Sequence, residues 1–279
     1  MKRIGICTFL LILLGAALAI HSKENNMIEI KFSLGKNIVE IAKATGIPKF
    51  GVSNTDGLIQ YNAMQLPTEA NIVYDRKGYE LVFRPVFSIN FSADRARSPD
   101  DLVDTFIVKM ETDQVRSHAS AKAMVDALVS QFRKGIWKRH ISLECPAVTG
   151  RSTFLNANGN IDSGGCALDP DYRIGEEDWL RLFAEGQRYE WMGEGVLAQL
   201  TIGYRDREGD PKYDIRLVFE DYEAKSAVDS KNEVQARKEG DAKGWDTSIK
   251  AATSEKATAE KKLILEANAL KRGDKVLAK

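Results

Sequence analysis

Hydrophobic and polar positions change their spacing several times along this chain, and each change predicts an element. Residues 4–20 form an apolar run without a charge, preceded by Lys2 and Arg3. Residues 27–32 (MIEIKF) alternate apolar and polar, the period of a half-buried strand. Residues 37–45 read as a short helix stopped by Gly46 and Pro48. Residues 51–70 read mostly as loop, with a short strand candidate at 58–61. The strongest strand signal is 79–91 (YELVFRPVFSINF), in which Pro85 marks a bulge, an edge or a bend. A polar loop at 92–101 precedes another strand at 105–110.

The clearest helix covers 117–135. Ala121, Met124, Val125, Leu128, Val129 and Phe132 recur at three- and four-residue spacing and make one apolar stripe. Residues 136–137 and 140–143 suggest a strand packed on the same core. A hairpin is expected at 153–162, where Asn158-Gly159 supplies the left-handed backbone of a tight turn. A short helix opens at 175–179, its acids favoured near the positive end of the helix dipole, and Gly186 ends it. Residues 196–204 and 213–219 alternate cleanly around a polar turn at 206–211, a second hairpin. Strand-rich blocks each followed by a helix predict an α+β fold of antiparallel strands and hairpins with packed helices. The body, 24–222, could divide into two similar lobes at 24–145 and 146–222. Residues 223–279 change texture: proline is absent and Ala, Lys and Glu dominate. An amphipathic helix is expected at 257–270, within a charged helical tail that is solvated and partly frayed.

The apolar start decides location. A charged beginning, a short apolar core and Ala17-Leu18-Ala19 describe a secretory signal peptide, residues 1–19. The run is near the lower length limit of a spanning helix, so an uncleaved inner-membrane anchor is the alternative. Both place the body in the periplasm, with membrane contact only through this segment if it is retained. Hydrophobic residues are 43% and charged residues 29%, enough for a sizeable core. Losing residues 1–19 removes Lys2 and Arg3 and no acid, leaving 38 basic against 40 acidic residues. A chain without a basic surplus is not built for nucleic acid. Only Cys145 and Cys166 survive cleavage, and an even pair in an oxidising compartment is expected to form a structural disulfide. Closing that loop adds about 3 kcal/mol.

Candidate chemistry is sparse. The chain has no G-x-S-x-G elbow, H-E-x-x-H, phosphate loop or dinucleotide fingerprint, so neither cofactor nor catalytic residues are predicted. A triad could be drawn from Ser117, His140 and an acid, but no spacing selects it, and His118 and His140 read better as surface or hydrogen-bonded groups. Asn156, Asn158, Asn160 and Asp162 alternate like the start of a calcium loop, yet glycine comes fourth and Ala167 twelfth, so the frame fails and no metal is expected. Trp179, Tyr189 and Trp191 cluster in sequence and could line a ligand groove, although core packing is the commoner fate of such aromatics.

Gly150-Arg151-Ser152-Thr153, the run Ile174-Gly175-Glu176-Glu177-Asp178-Trp179, and residues 209–217 (GDPKYDIRL) carry a resemblance. With the signal and the Lys/Ala/Glu tail, the chain resembles periplasmic immunity or accessory proteins associated with type VI secretion phospholipase effectors. The resemblance implies a non-enzymatic protein that binds a secreted lipase toxin and neutralises or escorts it. It transfers no binding residue. The candidate docking positions are Trp179, Tyr189 and Trp191, with Arg205, Arg207 and Asp210 at the hairpin tip. The rivals are an envelope structural or assembly protein held by its N-terminal segment, and a periplasmic hydrolase using His118 or His140.

Overall fold

The computed structural model describes residues 28–278 apart from Gln114, Arg116, Ser163, Gly164 and Glu208. The expected signal peptide, residues 1–19, lies outside the described residues. In chain order the elements are β1 (Glu29–Phe32), α1 (Ile38–Ala44), β2 (Gly51–Thr55), β3 (Leu58–Met64), β4 (Asn71–Tyr74), β5 (Leu81–Phe83), β6 (Val86–Asp94), β7 (Thr105–Met110), α2 (His118–Lys134), β8 (Lys138–Arg139), a 3-10 helix (Gly150–Phe154), α3 (Glu176–Ala184), β9 (Gln187–Gly193), β10 (Val196–Arg207), β11 (Asp210–Asp221), α4 (Tyr222–Ala242) and α5 (Thr247–Lys271). The fold is α+β.

Eight strands form one antiparallel sheet in the order β2-β3-β6-β7-β11-β10-β9-β8. Four strands run inward from one edge in chain order and four from the other, and the halves meet where Phe106 of β7 faces Phe219 of β11. The two segments expected as lobes therefore share one sheet and one core cluster. Residues opposite one another across a ladder share a face. One rung consequently places Tyr61, Phe91, Phe106, Phe219, Ala198 and Trp191 on the same side of the sheet.

Two layers cover that aromatic rung. A small sheet, β1-β4-β5, with β1 parallel to β4, lays Phe32 on Phe106 at 3.5 Å and Tyr74 on Phe219 at 4.8 Å between ring centroids. The stripe of α2 buries Ala121, Val125, Leu128, Val129 and Phe132, and Phe132 stacks on Trp191 at 3.9 Å. Ser117 opens α2 with a capping box and Gly135 closes it, so the expected bounds 117–135 are the caps themselves.

Several local expectations are corrected. Residues 79–91 are two strands, β5 in the small sheet and β6 in the large one, which meet at Arg84–Pro85, where the proline marked a bend. The stretch read mostly as loop at 51–70 holds the β2–β3 hairpin, closed by Asp56 and Gly57, both at positive φ. At 153–162 the expected hairpin shrinks to one bridge, Leu155 to Ile161, after the 3-10 helix. The strand expected through 136–143 is only Lys138–Arg139.

The helical tail is two helices, and the amphipathic stretch expected at 257–270 lies in the second. Asp221 caps α4, and α5 returns to the body. There the chain pairs again: Thr149 N–H donates to Lys275 C=O at 2.9 Å, Leu277 N–H to Ala147 C=O at 2.6 Å, and Ser152 N–H to Asp274 Oδ2 at 2.9 Å. Lys262, largely buried, donates to Leu143 C=O at 3.0 Å. A solvated tail would not make such bonds. The outer part of the helical pair does remain exposed, including Val234, Trp245 and Ile249.

Candidate functional site

Helix α3 is the element around which the chemistry collects. Glu176, Glu177 and Asp178 occupy its first turn, where the helix dipole favours acids. Asp178 is buried and receives two hydrogen bonds from Arg151, Nε and Nη2 each at 2.7 Å. Such a two-point contact between a guanidinium and a carboxylate is the strong form of an ion pair. It ties the 3-10 helix to α3 across 27 positions of sequence.

The next residue, Trp179, turns inward and is 1% exposed. Its indole N–H donates to the Tyr213 hydroxyl at 2.9 Å. An indole can only donate, so the Tyr213 oxygen accepts there, and the same hydroxyl shares a hydrogen bond with His118 Nδ1 at 2.6 Å. Burial pushes the Tyr213 hydroxyl above its ordinary titration range, with the Trp179 bond opposing in part. Tyr204 packs edge-on to His118 and donates to Leu180 C=O at 3.0 Å. The three segments that carried the resemblance thus converge through Arg151–Asp178 and Trp179–Tyr213.

Two clefts flank α3, and Glu185 lines both. One, about 450 Å³, is bounded by Arg151, Asn160, Ile161 and Arg181. The other, about 560 Å³, is bounded by Tyr204, Arg205, Lys212, Tyr213 and Asp214. Both clefts carry cations beside Glu185, and the larger one adds the aromatic rings of Tyr204 and Tyr213.

The docking positions expected from sequence separate here. Trp179, Tyr189 and Trp191 are 1%, 4% and 2% exposed and cannot anchor a partner. Tyr189 and Trp191 alternate inward on β9, which is flanked by β8 and β10 and packed under α2, so pleating sends both into the core. Arg205 is exposed and borders the larger cleft. Asp210 pairs with Lys212 at 2.9 Å beside the turn of the hairpin. Arg207 ends β10, and its side chain is outside the described atoms. Arg151, Asp178 and Tyr213 were missed because residues so far apart carry no periodic signal.

Other expectations resolve structurally. Cys145 and Cys166 form a disulfide, Cα to Cα 5.7 Å. Ser117 caps α2 and His140 lies beyond the far end of that helix, about 25 Å away by helix length, so the two make no dyad. His140 packs edge-on to Tyr222. Asn156 Oδ1 accepts the N–H groups of Asn158 and Asn160, which accounts for the asparagine alternation as a turn. Among the described residues no cluster of His, Cys, Asp and Glu could hold a metal ion, and no helix is long and apolar enough to cross a membrane.

Comparison with known proteins gives no match to a family model, to a curated protein or to a solved structure.

Proposed function

We propose that this chain is a non-enzymatic periplasmic binding protein whose partner is a secreted bacterial lipase effector, which it neutralises or escorts. The observation that carries the reading is the meeting of Gly150–Thr153, Ile174–Trp179 and residues 209–217 around α3, beside two clefts of mixed charge. Segments far apart in sequence that resemble one kind of protein are joined through Arg151–Asp178 and Trp179–Tyr213, beneath the two clefts. The Cys145–Cys166 disulfide supports an oxidising compartment, where such bonds persist. A stable complex would bury about 1,600 Å², centred on the clefts and their Arg205, Lys212 and Arg181 rim.

Coexpression with a co-encoded effector tests the reading. A complex should co-purify, and cells lacking residues 1–19 of the protein should lose protection. Arg205→Glu together with Lys212→Glu should weaken binding at least tenfold, about 1.4 kcal/mol, without lowering the melting temperature. A toxin neighbour that neither co-purifies nor is neutralised would sink the proposal.

A further inference from the structure

The large sheet ends at β2, and that edge differs from those at β8 and β5. At the opposite end β8 is only two residues long. In the small sheet, the outer groups of β5 are covered by a side chain: Gln131 accepts from Val82 N–H and donates to Val82 C=O, both at 2.8 Å. β2 has neither device. All five of its residues, Gly51-Val52-Ser53-Asn54-Thr55, are exposed, and none is charged or proline. Sheet proteins ordinarily protect such an edge with a lysine, a proline, a bulge or a covering element.

The hairpin fixes which backbone groups are available. Asp56 and Gly57 make a two-residue turn with both φ angles positive, so the flanking Thr55–Leu58 pair is a hydrogen-bonded one. Alternation then directs the groups of Gly51, Ser53 and Thr55 toward β3, and the N–H and C=O of Val52 and Asn54 outward. An antiparallel copy of the same strand, with its two-fold axis at Ser53, sets Val52 opposite Asn54 of the second copy, and Asn54 opposite Val52. Both pairs exchange two hydrogen bonds. Continued past the strand, the same register sets Asp56 opposite Phe50 of the other copy and beside its exposed Lys49, an opposite charge met twice. The apolar face also continues to this edge, since Val52 lies opposite the half-buried Tyr61 and is 58% exposed.

We propose that β2 is a self-pairing edge, through which two copies of this chain join their large sheets antiparallel about Ser53. The contact is isologous, and therefore closes at two copies. Five residues bury little area, so the pairing depends on concentration.

Sedimentation velocity of the purified protein over a concentration series should show the mass rise from one chain toward two. Lys49→Glu and, separately, Asn54→Pro should hold it at one chain while leaving the melting curve intact. Should Asn54→Pro disturb folding, Lys49→Glu alone decides. The register has its own readout. In this pairing the two Ser53 Cα atoms are about 4.5 Å apart, within disulfide reach. Ser53→Cys should therefore give a linked dimer on non-reducing electrophoresis. Thr55→Cys should not, because the two positions are four residues out of register, about 13 Å. A single-chain mass at every concentration, with no more linked dimer from Ser53→Cys than from Thr55→Cys, would overturn the proposal. So would a dimer whose mass neither Lys49→Glu nor Asn54→Pro reduces.

Discussion

Replacing Tyr213 by Phe removes one oxygen and deprives two partners, the Trp179 indole N–H and His118 Nδ1. Trp179 is buried, so its N–H loses its acceptor where water does not reach it. The expected cost is about 1–3 kcal/mol, read as a lower urea midpoint with an unchanged slope. A wild-type midpoint would mean that the indole finds another acceptor. Little of this was legible beforehand. His118 was read as a surface or hydrogen-bonded group, and its partner lies 95 positions away. Arg151 and Asp178 stood inside the segments that carried the resemblance, yet only folding makes them a pair. Periodicity reports the face on which a residue sits and is silent about its partner on another element.

Elements were legible where one face is buried and the other wet. The stripe of α2, the alternation of β7 and the β10–β11 hairpin follow that rule, and the structure has all three. β2 escaped because GVSNT is exposed on both faces, so no alternation marks it and only pairing with β3 makes it a strand. Pro85 marked a bulge, an edge or a bend, but the change of sheet there escaped for the opposite reason. The strands on either side are both rich in buried residues, and nothing local says that they belong to different sheets. Trp179, Tyr189 and Trp191 mislead in the same way, since an aromatic cluster fits a groove and a core equally well. Packing at these element junctions is close. A Cβ added at Gly193 would stand 2.4 Å from Tyr79 Cε1 and 2.9 Å from Trp137. Gly193→Ala should therefore destabilise by about 1–3 kcal/mol through overpacking, although alanine suits a strand better than glycine does. Thermal unfolding checks it, and an unchanged or raised melting temperature would show that the rings can move aside.

The whole molecule is held by connections between distant stretches of chain. The disulfide lies beside the seam where residues 147–149 meet 275–277, and Cys145 is followed almost at once by Ala147, which bonds both Glu266 and Leu277. Replacing Cys145 and Cys166 by Ser should cost about 3 kcal/mol of stability. It should also speed amide exchange at Thr149 and Leu277 more than at Phe106 in the sheet centre, measured by hydrogen exchange. Uniform acceleration would place the effect in global stability alone. The same seam imposes an order in time. Thr149 and Lys275 are 126 positions apart, so the earlier stretch is made on the order of ten seconds before its partner exists, at ordinary rates of synthesis. Until then the backbone of 147–149 stands open, and a stalled or shortened chain would offer that stretch to proteases while the sheet beside it was already complete.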